Sequence, residues 1–346
     1  MIKIGIVGAT GYAGAELVRL ILGRDDCEIA ALGSKSFVGE RYSSIYRGLY
    51  KYADKLCEDD DVLHLSKKAD IIFTATPQGF LGESISEEIL KNCKVIDLSA
   101  DFRIKNVDVY AKWYKIEHKS KEFIKEAVYG LPELNREKIK AARLVANPGC
   151  YSTSSILSLM PLIKYNLIDE KSIIIDAKSG TSGAGRSAKA DNLFCEVNEN
   201  IKAYGIATHR HTPEIEEQLS NFAKEDIALS FTPHLVPMMR GILVTAYASL
   251  NKDVKVEDIE AAYENEYADE KFIRLLQRGK NAETRFVRGS NFADIGFVVD
   301  RRTNRIIVTA AIDNLVKGAA GQAIQNMNLM LGLREDLGLA GLPMSL

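Results

Sequence analysis

Ile2-Lys3-Ile4-Gly5-Ile6-Val7 runs directly into Gly8-Ala9-Thr10-Gly11-Tyr12-Ala13-Gly14 and then into Ala15-Glu16-Leu17-Val18-Arg19-Leu20-Ile21-Leu22. A short apolar run, a glycine-rich turn and a segment with apolar residues at helical spacing make a strand, a turn and a helix. The glycines give a G-x-x-G-x-x-G variant of the dinucleotide fingerprint. Glycine there allows the tight turn, close approach of a pyrophosphate to the main chain, and packing of helix on strand. The helix N-terminus favours the anion. Gly8, Thr10, Gly11, Tyr12, Ala13 and Gly14 are therefore candidate cofactor contacts.

Working outward, further strands are expected at Glu28 to Leu32, Asp70 to Thr76, Lys94 to Leu98 and Arg143 to Ala146, with a helix around Ser84 to Leu90. Alternating strands and helices predict a Rossmann-type parallel sheet with helices on both faces. Ligands bind at the carboxyl ends of such strands, which adds Thr76 and Pro77 to the cofactor set. The second strand ends in Gly33-Ser34-Lys35-Ser36, and no carboxylate occurs from Ile29 through Gly39. An NAD site of this type normally places an acid there to accept from the ribose 2′-hydroxyl. Lys35 instead attracts a 2′-phosphate, and Ser34 and Ser36 can donate to it. The reading is NADP; the plainer alternative is a solvated turn.

The chain has 346 residues, enough for about two domains. Hydrophobic residues make up 46% and charged residues 27%, with net charge −2. That is an ordinary globular balance and gives no electrostatic case for nucleic acid. No apolar run approaches the ~20 residues of a membrane span. The five cysteines are odd in number and widely spaced, which argues against a disulfide framework and a structural zinc site. A reducing cytoplasm fits, and the strand at Ile2 leads us to expect no signal peptide.

The second half reads differently. Strands are expected at Ser172 to Lys178, Ile227 to Val236, Ile242 to Leu250, Asp294 to Val299 and Ile306 to Ile312, in an α+β domain with a mixed or antiparallel sheet. Asn147-Pro148-Gly149-Cys150 places a cysteine behind a turn, ahead of a helix over Ser154 to Met160. A thiol at a helix N-terminus can be activated, although a lone cysteine is more often a small buried residue. Ser152 and Thr153 could cap that helix or donate to an anion. Ser179 to Arg186 is a glycine-rich loop, either a binding loop or a flexible one. In His209-Arg210-His211-Thr212-Pro213, Thr212 is the expected N-cap and Pro213 the first helical residue. The dipole then keeps His211 neutral and able to act as a base. His-x-His without a third ligand is a poor metal site. A final helix is expected from Asn314 to Met330.

Together these stretches resemble the N-acetyl-gamma-glutamyl-phosphate reductases, in the wider group of aspartate-semialdehyde and glyceraldehyde-3-phosphate dehydrogenases. The runs that carry the resemblance are Gly8 to Glu16, Asp97 to Arg103, Tyr129 to Glu133, Asn147 to Tyr151, Ser179 to Arg186, His209 to Ile215, Pro233 to Gly241 and Asn314 to Asn328. Gln78 departs from the histidine that often follows Ala-Thr-Pro. The resemblance implies a dinucleotide domain over 1–148 completed by a C-terminal helix from 314–346, and a catalytic and dimerisation domain over 149–313. It implies Cys150 as nucleophile and His211, rather than His209, as acid/base. It extends the NADP set to Ser182, Gly183 and Asn314. Arg103, Arg186 and Arg240, with Asn147 and His209, become candidates to hold an acyl phosphate. It also implies arginine biosynthesis in the cytoplasm and a homo-oligomer, dimer or tetramer. The alternatives are the same chemistry on aspartyl phosphate or a carrier-linked aminoadipyl or glutamyl phosphate, and a regulatory protein that has lost catalysis.

Overall fold

In the computed structural model, residues 1–344 are described. Two compact units divide the chain: Met1–Gly149 with Ala319–Ala340, and Cys150–Gly318 with the residues from Gly341 on.

The first unit is built on β1 (Ile2–Val7), β2 (Cys27–Leu32), β3 (Ile71–Thr74), β4 (Lys94–Asp97), β5 (Val128–Tyr129) and β6 (Leu144–Ala146), in the order β2-β1-β3-β4-β6-β5. Every pairing is parallel. β3 and β6 are buried at every residue, as a sheet covered on both faces requires. Val7, Leu65, Ile72, Ile89, Val95 and Leu144 share one core cluster. The strand order reverses beside β1, so the crevice at the switch point lies at the ends of β1 and β3. The expected helix over Ser84 to Leu90 is two short ones, Phe80–Ser84 and Glu87–Asn92. Ser86 splits them because its hydroxyl accepts from the Ile89 N–H as an N-cap.

The second unit carries β7 (Ile174–Ser179), β8 (Lys202–Ala203), β9 (Ser230–Leu235), β10 (Ile242–Ser249), β11 (Ile273–Leu275), β12 (Ala293–Asp300) and β13 (Arg305–Ile312). The order is β11-β12-β13-β10-β7-β9-β8. The sheet is mixed: β7 with β9 and β11 with β12 are parallel, the other pairs antiparallel. β10 alternates buried and half-buried residues along its length, the mark of a sheet with one face on the core. On that face lies the helix Cys150–Lys164, which packs against β10, β13 and the helices Thr212–Ser220 and Val256–Tyr267. Every residue from Tyr151 to Ile163 is buried.

The sequence predicts that helix only to Met160, yet it continues through Pro161. Proline has no N–H for the carbonyl four residues back. The Leu157 carbonyl accepts instead from the Tyr267 hydroxyl at 2.8 Å, and the Ser158 carbonyl from Tyr263 at 2.6 Å. Tyr267 thus supplies the donor that the proline removes, and Tyr263, one helical turn away, adds a bond to the next carbonyl.

The C-terminal helix is also shorter than expected. Val316–Ala320 is a π-helical turn, the α-helix is Gly321–Met330, and no helix follows through 344. Asn314 precedes both. The Gly321–Met330 helix belongs to the first unit, and its buried amides explain why it stays there. Asn326 donates to the Gly130 carbonyl at 2.8 Å, and Asn328 to the carbonyls of Glu335 and Leu337 at 2.9 Å each.

Candidate active site

In the first unit the turn after β1 is tightly held: the Gly8 N–H donates to Asp60, the Ala9 N–H to the Gly33 carbonyl and the Gly11 N–H to the Gly8 carbonyl. Gly8 has φ +74°, and a Cβ there would lie 2.4 Å from the Ala75 carbonyl oxygen. A Cβ on Gly14 would lie 2.4 Å from the Gly8 oxygen and 2.7 Å from Ala9 Cα, so the helix can start this close only without a side chain. Tyr42 donates to the Ala9 carbonyl at 3.0 Å and Tyr46 to that of Thr10 at 2.9 Å. Gly11 is the N-cap of the helix Tyr12–Leu22 and gives it no side-chain cap. Thr76 Oγ1, two residues past β3, is buried with no hydrogen-bond partner among the described residues. An uncapped helix N-terminus beside tight glycines, and a buried hydroxyl awaiting a partner, fit a dinucleotide pyrophosphate.

The loop after β2 is more committed than its sequence suggests. Ser34 is buried and its hydroxyl bonds Thr10 Oγ1 at 2.8 Å, while Lys35 and Ser36 are exposed. A carboxylate does reach this loop, from farther along the chain. Asp60 accepts from the Gly8 N–H and the Lys35 N–H, both at 3.0 Å, and so ties the two loops together. Burial pushes its carboxyl upward, and the two N–H groups oppose that. No local pattern marks Asp60, Tyr42 or Tyr46.

Asn147 is pinned from three directions. Its N–H donates to the Asp97 carbonyl at 2.8 Å, and its own carbonyl accepts from Arg103 Nε at 2.7 Å. Its side chain accepts from Asn326 at 3.0 Å and donates to the Ala319 carbonyl at 3.2 Å. Arg103 is itself buried and also donates to the Leu98 carbonyl at 2.7 Å. Both residues, predicted as substrate contacts, hold the strand end that leads to Pro148-Gly149-Cys150. Asp101 does similar work one loop away, accepting from the Gly79 and Gly82 N–H groups and from the Tyr110 hydroxyl.

In the second unit Cys150 is the first residue of its helix and is half-buried. The thiols of Cys27 and Cys57 are pushed up to about 11 and that of Cys93 to about 12, all chiefly by burial. Those three are inert at neutral pH. Ser152 does not cap the helix that Cys150 opens; its hydroxyl is buried within it without a hydrogen-bond partner among the described residues.

An aromatic box surrounds the next residue. Tyr151 meets Phe231, His209 and His211 edge-on, with ring centroids at 5.4, 5.6 and 5.9 Å. Its hydroxyl bonds that of Tyr204 at 3.0 Å. Burial pushes the Tyr204 phenol up to about 12, and the nearby Cys150 adds to that. The two histidines stand 4.9 Å apart between centroids. The His211 main-chain N–H donates to His209 Nδ1 at 3.1 Å, which fixes His209 as the Nε2–H tautomer. Burial, with His211 and Arg210 close by, drives the His209 pKa down to about 2. His209 is therefore a neutral ring at any working pH.

His211, not Thr212, is the N-cap of the helix Thr212–Ser220, and its side chain does not cap. The helix starts one residue earlier than the sequence predicts because Pro213 fits the first turn without needing an N–H. The ring of His211 is thereby left to other partners.

Arg240 is doubly bonded to the fully buried Asp313, Nε to Oδ2 at 3.0 Å and Nη2 to Oδ1 at 3.1 Å. Asn314 accepts from the Gly241 N–H at 2.7 Å and donates to Ser182 Oγ at 2.9 Å, so it ties the Thr181–Ala184 turn to the end of β10. Gly183 and Arg186 are exposed in that loop. Among the described residues no group of three or more His, Cys, Asp or Glu side chains could hold a metal ion, and no helix is long and apolar enough to cross a membrane.

A parallel sheet with a glycine turn at its switch point, followed by a mixed-sheet unit that opens on a cysteine and a tyrosine packed on a histidine pair, is the plan of a semialdehyde dehydrogenase. The family model described as "Semialdehyde dehydrogenase, NAD binding domain" matches residues 3–142, and "Semialdehyde dehydrogenase, dimerisation domain" matches 150–314. The N-acetyl-gamma-glutamyl-phosphate reductase of Lachnospira eligens is 60% identical over 346 residues, covering 99% of each chain. That of Lachnoclostridium phytofermentans is 59% identical over 344 residues, again 99% of each. Among solved structures, aspartate semialdehyde dehydrogenase with NADP from Candida albicans is similar in fold, with TM-score 0.70 at 16% identity over 97% of this chain and 99% of that one. The chain belongs to the N-acetyl-gamma-glutamyl-phosphate reductase family of semialdehyde dehydrogenases.

Proposed function

We propose that this protein reduces N-acetyl-gamma-glutamyl phosphate to N-acetyl-glutamate semialdehyde and phosphate with NADPH, a step of arginine biosynthesis. The observation that carries the mechanism is the contrast within the histidine pair packed on Tyr151, the neighbour of Cys150 in the chain: His209 is locked neutral while His211 opens a helix.

The glycine turn, Thr76 and the loop at Lys35 and Ser36 hold NADPH, which supplies the hydride when bound. Cys150 attacks the acyl phosphate carbon as thiolate and expels phosphate, forming a thioester. The helix that Cys150 begins presents first-turn N–H groups to the oxyanion of the tetrahedral species. After reduction to the thiohemiacetal, His211 manages the proton as the aldehyde leaves and the thiolate returns. His209 cannot supply a proton in this range and serves to orient the ring beside it. Arg186, in its exposed loop, is a candidate to meet an incoming anion. The unit matched as a dimerisation domain supports assembly as a homo-oligomer.

The test is phosphate-dependent reduction of NADP with N-acetyl-glutamate semialdehyde beside aspartate semialdehyde. A kcat/KM for the acetylated substrate at least ~10²-fold higher supports the reading, since a site built for the amide rejects its lack strongly. Equal rates, or preference for aspartate semialdehyde, overturn it.

A further inference from the structure

Gly318 lies against the nucleophile. A Cβ on it would come within 2.8 Å of Cys150 Cβ, 3.3 Å of Cys150 Cα and 3.3 Å of Ile312 Cδ1. The first two atoms are the root of the cysteine and move only if the helix start moves. Gly318 has no left-handed φ to explain a glycine, so the requirement is space. Glycine within a helical turn otherwise costs ~0.5–1 kcal/mol relative to alanine, and here that cost leaves room for Cys150.

The turn that brings Gly318 to this place is unusual and firmly held. Its N–H reaches back five residues to the Asp313 carbonyl at 3.0 Å, a π-type bond, and such turns cluster at functional sites. The Asp313 carboxylate organises the rest. Oδ1 accepts from the Leu315 N–H at 2.8 Å and the Val316 N–H at 3.2 Å, and Oδ2 from the Gly289 N–H at 2.7 Å. Arg240 balances the buried charge with its two-pronged bond.

We propose that Gly318 and the Arg240–Asp313 pair are positioning residues for the Cys150 thiol: the pair shapes the π-turn, and the turn's bare main chain sets where the sulfur sits. This rests on Cys150 as the nucleophile. It gives Arg240 a task distinct from substrate binding, and the two tasks separate by experiment.

The experiment is the rate constant of Cys150 alkylation by iodoacetamide across pH, without substrate, beside kcat and KM. It is made on wild type, Gly318→Ala, Arg240→Lys and a Gly48→Ala control, whose added Cβ would meet nothing within 4 Å. Each is measured below its own melting temperature. Gly318→Ala should alter the alkylation profile and lower kcat by up to about 10²-fold, the cost of a misplacement near 1 Å, with KM for NADPH within about twofold. Arg240→Lys should change alkylation in the same sense, more weakly, and it carries the test alone if Gly318→Ala does not fold. The proposal is overturned if Gly318→Ala keeps wild-type alkylation and turnover. It is equally overturned if Arg240→Lys raises KM for the acyl phosphate while alkylation stays unchanged, because Arg240 then holds substrate. Failure of the nucleophile assignment shows separately, as turnover that survives complete alkylation of Cys150.

Discussion

The turn after β1 and the turn before Gly318 solve the same problem at different ranges. Both bring bare main chain to where a side chain would collide. At Gly14 the colliding atoms belong to Gly8 and Ala9, within the same turn. At Gly318 they belong to Cys150, on another element. The first constraint is written as a local pattern and can be read from spacing alone. The second leaves only Gly318 in a helical run, which signals close packing without naming what lies against it. The difference shows why a cofactor site is easier to read than the support of a nucleophile.

The largest expected effect breaks the second region at its centre. Cys150→Ser should keep NADPH binding and lose nearly all turnover, because a serine hydroxyl at neutral pH is a far poorer nucleophile than a thiolate. More than a few per cent of activity in protein free of wild type contradicts the covalent route.

Next come the histidines. His211→Asn should lower kcat by roughly 10²–10⁴-fold, and His209→Asn by less; the reverse order exchanges their roles. His209 also leaves a mark on stability. Its pKa is about 2 in the fold against an ordinary 6.5, so between those values the unfolded chain binds a proton that the folded one does not. The sign is that stability rises with pH across this window and is lost as pH falls below about 6.5. His209→Asn should flatten that acid limb in denaturant titrations; an unchanged limb contradicts the buried neutral ring.

The first region is sharpened by a pair of changes. Lys35→Ala should reduce the NADPH-to-NADH ratio of kcat/KM by roughly tenfold, the worth of one charge-assisted hydrogen bond. Asp60→Asn should weaken both cofactors together, since Asp60 holds the loops through main-chain N–H groups. A ratio that moves with Asp60 and not with Lys35 would reverse these assignments.

Much of the first unit was legible. Five of the six strands of the parallel sheet and the glycine turn follow from runs of neighbouring residues; the two-residue edge strand Val128–Tyr129 carries too short a pattern to read. What escaped was support from a distance. Asp60 lies far beyond the end of β2, where the ribose acid of an NAD site stands, and Tyr42 and Tyr46 act through their hydroxyls on main-chain carbonyls. In the second unit, Cys150 and the histidine pair were visible as motifs. The helix that Cys150 begins reads as ending before Pro161, because the Tyr267 donor to the Leu157 carbonyl comes from a distant helix. Arginine suits an anion, which is all that the sequence says of Arg103 and Arg240; their partners in the fold, the Asn147 carbonyl and Asp313, are set by distant elements.

The smallest expected effect on activity lies at the Tyr267 donor. Tyr267→Phe leaves the Leu157 carbonyl buried without its donor, which should cost about 1–3 kcal/mol of stability. Turnover per folded molecule should stay near wild type. Unchanged unfolding would show that the carbonyl finds another donor.

The central claim is a thioester on Cys150, and the most direct measurement omits its acceptor. Enzyme mixed with NADP and N-acetyl-glutamate semialdehyde without phosphate should give a burst of about one NADPH per active site and then slow greatly. Intact mass should rise by one N-acetylglutamyl group, mapped to the peptide bearing Cys150, and added phosphate should discharge it. Full steady turnover without phosphate, or a burst with no mass on Cys150, would contradict the account.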